Sequence, residues 1–177
     1  MQPRKRNVAC DHKTQAATHH KRRTQLVNQA PIEIFVRASV PDDVLTISQH
    51  QRLSQDESTK YRGTLPPSAQ GSRSLTFVAG VGSTVFGSLT LTELSPRCWN
   101  ISHVFVEQEA REIGIGDALV VHALDILRNE DAEWCSGQAK PGDRALKNLF
   151  ERHGLVAQTI LVGRSLNDPS TEADASQ

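Results

Sequence analysis

The sequence is poor in the residues that build several specialised kinds of site. Among its 177 residues are three cysteines, one methionine, one tyrosine and two tryptophans. Cys10, Cys98 and Cys135 form no CxxC pair and no metal-ligand spacing, so we expect free thiols, a reducing compartment and no bound metal. No apolar run approaches the roughly 20 residues that a membrane-spanning helix requires. These absences argue against a disulfide scaffold, a zinc module and a membrane protein, and we expect a cytoplasmic location.

Net charge is also lacking, although the charges are unevenly distributed along the chain. Lys and Arg number 20, and so do Asp and Glu, but residues 1–29 contain seven basic residues and a single acidic one. This segment has few large apolar side chains, which predicts a disordered basic tail. Two interpretations stay open, an arm for nucleic acid or another anionic surface and a solvated tail without a partner. Residues 167–177 are polar and predicted to be a disordered C-terminal tail.

Between the tails, residues 31–166 form one domain in which strand patterns alternate with helix patterns. Apolar residues alternate from Ile32 to Val36 as in a strand, and Pro41 suits the start of the helix that follows. The predicted order is β-α-loop-β-β-β-α-β-α-β, a mixed α/β domain with at least one parallel crossover. Its later elements are a hairpin over 75–94, a strand over 99–107, a helix from 117, a short strand over 132–139, a helix over 141–154 and a final strand over 155–166.

The stretch EAREIGIGDAL, residues 109–119, joins an apolar strand to a helix and contains two glycines. Amides at the start of a helix have no partner within the helix, and the helix dipole adds positive charge there. Gly114 and Gly116 leave these amides accessible, which predicts a phosphate or pyrophosphate site. A tight strand-to-helix turn without a ligand is the alternative. A Rossmann GxGxxG motif is excluded because its third glycine position is Leu119, and no Gly-Lys-Ser/Thr of a P-loop is present.

A family resemblance adds to this interpretation. VFVEQEAREIGIGDAL, residues 104–119, resembles the acyl-CoA signature Arg/Gln-x-x-Gly-x-Gly/Ala of the GNAT N-acetyltransferase superfamily, matched by Arg111, Gly114 and Gly116. AKPGDRALKNLFERHGL, residues 139–155, resembles a later helical segment of the same family. The resemblance covers about residues 31–166. It implies a mixed, mostly antiparallel central sheet with splayed strands and flanking helices.

The resemblance also implies an acetyl-CoA site and a reaction. The strand carrying Val104, Phe105 and Val106 would splay from its neighbour at a bulge and bind the pantetheine arm through its backbone. An amine would attack the thioester directly, with the carbonyl polarised by a strand amide near Phe105 or Val106. The pyrophosphate would lie on the amides of Arg111, Glu112, Ile113, Gly114, Ile115 and Gly116. Arg111 would anchor this loop or add positive charge.

Two positions depart from the family pattern. Phe150 replaces the tyrosine that often protonates the departing thiolate, and Asn100 stands at the position of a frequent glutamate base. His103 and Glu93 are the candidate bases. For His103 the alternative is a half-buried histidine packed on the sheet, and for Glu93 it is a solvated strand end. Asp143, where the family often has asparagine, suits a helix cap or a ligand contact.

Three functional hypotheses follow. The first is an N-acetyltransferase that moves an acetyl group from acetyl-CoA to a primary amine of unknown class, on a small molecule or a protein. The second, favoured by Phe150 and Asn100, is a module that binds acyl-CoA and reports its level with little or no catalysis. The third is a nucleic-acid-associated protein that uses its basic tail and has a vestigial coenzyme site. A homodimer is compatible with all three.

Overall fold

The computed structural model of the protein describes residues 32–63 and 73–162. Both predicted tails and the polar segment 64–72 lie outside these ranges. The described elements, in chain order, are β1 (Ile34–Ala38), α1 (Val44–Ser58), β2 (Arg73–Val81), β3 (Thr84–Ser95), β4 (Cys98–Val106), α2 (Ile115–Asn129), β5 (Trp134–Gly137) and α3 (Arg144–Arg152), with short 3₁₀ turns at Pro41–Asp43 and Gln108–Ala110.

The strands form one five-stranded sheet in the order β1-β2-β3-β4-β5. β1 to β4 pair antiparallel with their neighbours, and β5 pairs parallel with β4. The predicted hairpin is present, since Val81 pairs with Thr84 across the two-residue loop Gly82–Ser83. α2 forms the crossover between β4 and β5. The predicted fold class is therefore confirmed.

Helices cover both faces of the sheet. α2 is apolar and buries Leu119, Val120 and Ala123 in the core, together with Leu89 and Leu91 of β3. Burial of this apolar stripe stabilises the domain because it removes apolar surface from water. No helix in the described ranges is both long and apolar enough to cross a bilayer.

α1 lies on the opposite face and is mostly polar, so specific polar contacts fix its position. At its start, the Arg37 guanidinium of β1 binds both oxygens of Asp43 at 2.6 and 2.9 Å. The same carboxylate accepts from the Val40 amide at 2.8 Å. The Arg37 hydrogen bonds, aided by the Val40 amide, lower the pKa of Asp43 against the opposing effect of burial.

α3 begins as the sequence predicts. The Asp143 side chain accepts from the Leu146 amide at 3.0 Å, which confirms its role as helix cap. At the other end of α3, Arg152 and His153 bind Asp117 in the first turn of α2 at 2.9–3.0 Å. This contact holds the start of α2 next to the end of α3.

The final strand predicted over residues 155–166 is wrong for the part that the structure describes. Residues 155–162 contain no strand, and the rest of the segment lies outside the described ranges. Leu155 packs against the core, but Ile160, Leu161 and Val162 are 92%, 69% and 85% exposed. β-branched and apolar residues form a strand only where a neighbouring strand takes up their backbone hydrogen bonds, and none of the described strands pairs with this segment.

Candidate active site

The strands β4 and β5 separate part of the way along the sheet. They pair from Cys98 to Ile101, where Gly137 is the last partner on β5. At the same point β4 changes register against β3, because Leu91 pairs with Ile101 but Thr90 with His103. The skipped residue, Ser102, forms a β-bulge. Beyond it, β4 has no partner from β5, and the two strands form the fork that the resemblance implies.

The free backbone groups of β4 in this fork can be identified from its hydrogen bonds to β3. The Glu107 amide donates to the Phe86 carbonyl of β3 at 2.8 Å. Amides of successive strand residues point to alternate sides, so the Phe105 amide also points to β3. The amides of Val104 and Val106 then point into the fork. Phe105 and Val106 are the two residues whose amides were expected to polarise the thioester carbonyl. Of these two amides, only that of Val106 points into the fork.

The loop before α2 presents a row of unpaired amides. Glu112 and Gly114 have φ angles of +71° and +96°, which turn the chain sharply before the helix begins at Ile115. The first intrahelical bond runs from the Ala118 amide to the Gly114 carbonyl at 2.9 Å. Between Glu112 and Asp117, no amide donates to a partner among the described residues. This is the hydrogen-bonding pattern of an anion site at a helix N-terminus.

Gly114 and Gly116 are glycines for different reasons. Gly114 has a left-handed backbone that other residues adopt only with strain. Gly116 is helical, and a Cβ atom there would lie 3.5 Å from Leu149 and 3.6 Å from Val106, which is ordinary contact. Packing therefore does not require glycine at position 116. A ligand that must pass between β4 and α3 to reach the loop amides would require glycine at this position. The loop residues are therefore compatible with a bound diphosphate.

Arg111 anchors the loop, which is one of the two roles considered from the sequence. Its Nε donates to the Val106 carbonyl at 3.0 Å, and its terminal nitrogen binds both carboxylate oxygens of Glu57 on α1 at 2.7 and 2.8 Å. The guanidinium also lies 5.7 Å from the centre of the Phe105 ring. Arg111 thus connects the end of α1, the end of β4 and the loop.

Phe150 occupies the point where β4 and β5 separate. It is 6% exposed, and a Cβ on Gly137 would lie only 2.8 Å from its ring. The ring therefore lies directly over the last paired residue of β5, with no proton to donate. Nearby, Ser136 Oγ donates to Asn100 Oδ1 at 3.0 Å. Asn100 comes one residue before the pair Ile101–Gly137, and because successive strand residues alternate faces, its side chain lies on the opposite face of the sheet from the Phe150 ring.

The two candidate bases lie on opposite faces of the sheet. Glu93 pairs with Trp99, in the closed part of the sheet where β4 and β5 are still joined. It shares a face with Leu91, whose side chain is in the core beneath α2. His103 pairs with Thr90 on the α1 face and lies beyond the bulge. Only His103 is therefore beside the open fork, and its catalytic role stays a prediction.

His103 is part of a polar cluster that the sequence analysis missed. Its Nε2 lies 3.3 Å from Ser88 Oγ, and Ser88 Oγ lies 3.0 Å from His50 Nδ1. His50 Nε2 lies 3.1 Å from Glu107 Oε1. These residues are far apart in the sequence and come from α1, β3, β4 and the following turn. The only local indication of this cluster in the sequence is Ser88, a serine within the apolar run of β3.

Burial lowers the pKa of His103 to about 4, with a smaller contribution from the charge of His50. The unfolded chain binds a proton at this residue near pH 6.5, whereas the folded protein does so only near pH 4. Unfolding is therefore favoured as the pH falls through this window, by about 3 kcal/mol in total from this residue. Asp43 and Asp117 have lowered pKa values, so most of their contribution to stability is lost only as the pH falls below the ordinary carboxyl pKa of 3.8.

We expect urea unfolding to show a stability loss between pH 6.5 and 4 that His103→Gln largely removes. The variant is compared with the wild type at each pH, so that contributions from other groups cancel. Equal pH slopes for the two proteins would contradict the lowered pKa of His103.

The model of the family described as "Acetyltransferase (GNAT) family" matches residues 42–155, more than half of the chain. The match includes the fork, the loop and α3. No curated protein sequence matches the chain.

Solved structures with the same fold share little sequence with this chain. An aminoglycoside acetyltransferase from an uncultured soil metagenomic sample is 17% identical, with a TM-score of 0.57 over 75% of this chain and 94% of the other. A ribosomal-protein-alanine N-acetyltransferase from Brucella melitensis biovar Abortus 2308 is 17% identical, with a TM-score of 0.58 over 75% and 99%. AAC(6')-Iy, in complex with the bisubstrate analog CoA-S-monomethyl-acetylneamine, is 10% identical, with a TM-score of 0.57 over 75% and 98%. At these identities the likeness establishes the fold.

Proposed function

We propose that this chain, which belongs to the acetyltransferase (GNAT) family, transfers an acetyl group from acetyl-CoA to a primary amine by direct attack. The observation that carries this proposal is the row of unpaired amides from Glu112 to Asp117, which opens beside the gap between β4 and β5. A diphosphate would satisfy several of these donors at once, aided by the α2 dipole. The free edge of β4 offers further hydrogen bonds to an extended amide-containing arm.

The chemistry would take place at the fork. The Val106 amide, which points into the gap, would donate to the thioester carbonyl and stabilise the oxyanion as the amine attacks. His103 would accept the proton of the attacking nitrogen, because it is uncharged near neutral pH and lies beyond the bulge. Phe150 supplies no proton, so the thiolate would leave unassisted.

A second function is favoured by Phe150 and Asn100. Both positions lack the ionisable side chain that relatives often have, and both are engaged in local packing or hydrogen bonding. An acyl-CoA-binding module that reports coenzyme levels needs the amides of the loop and no base or acid. It would bind acetyl-CoA without releasing CoA.

Release of free CoA thiol separates the two functions. Purified protein is incubated with acetyl-CoA and a panel of polyamines, amino acids, aminoglycosides, lysine peptides and peptides with N-terminal alanine. We expect at least one amine to accelerate thiol release above the rate without amine, and mass spectrometry to find the acetylated product. Aminoglycosides and alanine peptides are included because the names of two structural neighbours give these classes of acceptor.

Thermal melting with acetyl-CoA provides the control for binding. A raised melting temperature is expected from either function, since a ligand that binds only the folded state stabilises it. Binding without thiol release across the whole panel would favour the sensor module. Absence of any binding would refute both functions.

A further inference from the structure

The last turn of α1 bridges the open end of the fork. Glu57 of α1 binds Arg111, which follows β4. The next residue, Ser58, accepts from Lys140 Nζ, which follows β5, at 3.0 Å through its carbonyl and at 3.4 Å through its hydroxyl. Two adjacent residues of α1 thus hold the segments that leave the two separating strands. The bridge lies at the end of α1, the helix on the face of the sheet that carries His103.

An open cavity of about 490 Å³ lies next to this bridge. Its walls come from the residues that follow the two anchored side chains, namely Lys60, Tyr61 and Arg62 after α1 and Pro141 and Gly142 before α3. The walls lie close together, since a Cβ atom on Gly142 would be 3.6 Å from Tyr61 Cδ1. A cavity of this volume is large enough for a small-molecule ligand.

Four cations in or next to these walls have no carboxylate partner among the described residues. They are Lys60 and Arg62 in one wall, and Lys140 and Arg144 within two residues of the other. The remaining lysines and arginines in the described ranges, except Arg52, each bind a carboxylate. Unpaired cations in this part of the chain are therefore concentrated at one place, where their summed field favours an anion.

Few carboxylates are available to offset these charges. Residues 58–72, which include the first wall, contain no Asp or Glu, and Asp56 before them forms no ion pair with Lys60. Next to the second wall, Asp143 is occupied as the cap of α3. Arg144 is the first residue of α3, where the helix dipole disfavours a cation and stabilises an anion. An anionic ligand would therefore gain from the side chains and from the dipole together.

We propose that this cationic cavity binds the acidic group of the acceptor, so that the substrate is a primary amine that also carries a carboxylate or a phosphate. The proposal rests on the transferase function proposed above and names its substrate class. With its acidic end in the cavity, the acceptor approaches the fork from the α1 face and presents its nitrogen to His103. The diphosphate of the coenzyme is held instead by the amides before α2, the helix on the opposite face.

Pairs of amines that differ in one anionic group test the substrate class. Thiol release from acetyl-CoA is measured with glycine and glycinamide, with phosphoethanolamine and ethanolamine, and with alanyl peptides that have a free or an amidated C-terminus. We expect kcat/KM to be at least about tenfold higher for the anionic member of at least one pair, mainly through a lower KM. Polyamines and aminoglycosides, which are polycations, should be the poorest acceptors. The pair that responds distinguishes a carboxylate from a phosphate.

Arg62→Glu reverses one charge of the cationic cavity. It should lower kcat/KM for the preferred anionic amine by at least about tenfold and remove the preference within its pair. The KM for acetyl-CoA and the melting temperature should stay unchanged, because Arg62 is exposed and outside the loop before α2. Arg52→Glu reverses the other unpaired cation of the α1 region, outside the cavity, and is the matched control that should keep the preference.

A titration without turnover separates this proposal from the transferase function. Protein saturated with CoA, which has no acetyl group to transfer, is titrated with each amine of the pairs and followed by ¹H–¹⁵N NMR. The anionic member of the responding pair should shift the amide signals of Tyr61 and Gly142, and its neutral partner should not. Arg62→Glu should lose these shifts, and added salt should weaken them, because exposed charges are screened.

The proposal is overturned if both members of every pair react and bind equally, if polycations are preferred, or if Arg62→Glu and Arg52→Glu behave alike. It is also overturned if Arg62→Glu weakens the binding of CoA but not of CoA without its ribose 3′-phosphate, since the cations would then belong to the coenzyme site. A wild-type protein that releases no CoA with any amine would refute the transferase function. The NMR titration would then decide by itself whether the cavity binds an anion.

Discussion

Gly116→Glu should raise the dissociation constant for CoA by at least about a hundredfold. A carboxylate about 4 Å from one charge of a diphosphate costs about 4 kcal/mol near a protein surface, roughly a thousandfold in affinity before screening by salt. The new side chain would also fill the space between Val106 and Leu149. Isothermal calorimetry with CoA measures the effect. Val121→Glu, an exposed position further along α2, adds the same charge outside the loop and is the control.

Gly116→Ala tests the same amides, and it should stabilise the protein while it weakens the binding of CoA. The added methyl group makes only ordinary contacts, and alanine is the better helix residue, so unfolding should become harder by up to about 0.5 kcal/mol. Binding of CoA should nevertheless weaken, because the methyl group covers the amides. If folded Gly116→Glu binds CoA like the wild type, the amides before α2 do not hold the diphosphate.

His103→Gln should lower kcat about a hundredfold, whereas Glu93→Gln should stay within about twofold of wild type. The reason is position, because His103 lies beyond the bulge beside the open fork. Glu93 pairs with Trp99 where the sheet is closed, on the face covered by α2. Initial rates at saturating acetyl-CoA, with the best amine from the panel, measure both variants.

The KM for acetyl-CoA should change little in either variant, since neither side chain belongs to the loop. Melting curves of both proteins show whether a lost rate reflects a lost fold. A large effect of Glu93→Gln with a small one of His103→Gln would mean that the amine approaches from the α2 face. Small effects of both would mean that the amine loses its proton to water.

Much of the fold could be predicted because its signals are local. Alternation in β1 to β4, the two-residue hairpin at Gly82–Ser83 and the Asp143 cap depend on neighbours within a few residues of each other. The final strand predicted over residues 155–166 is absent from the described residues 155–162. Strand formation needs a partner, and the pattern of one segment carries no information about whether that partner exists.

The sequence by itself determined the order of elements as far as α3, the family and the position of the loop, because glycine spacing and helix starts are properties of adjacent residues. Only the tertiary structure decided that Arg111 binds Glu57 and that Glu93 and His103 lie on opposite faces. It alone brought His50 and Glu107, 57 residues apart, within hydrogen-bond distance. The bulge at Ser102 reverses which residues of β4 face α1, and such a register shift depends on pairing between strands.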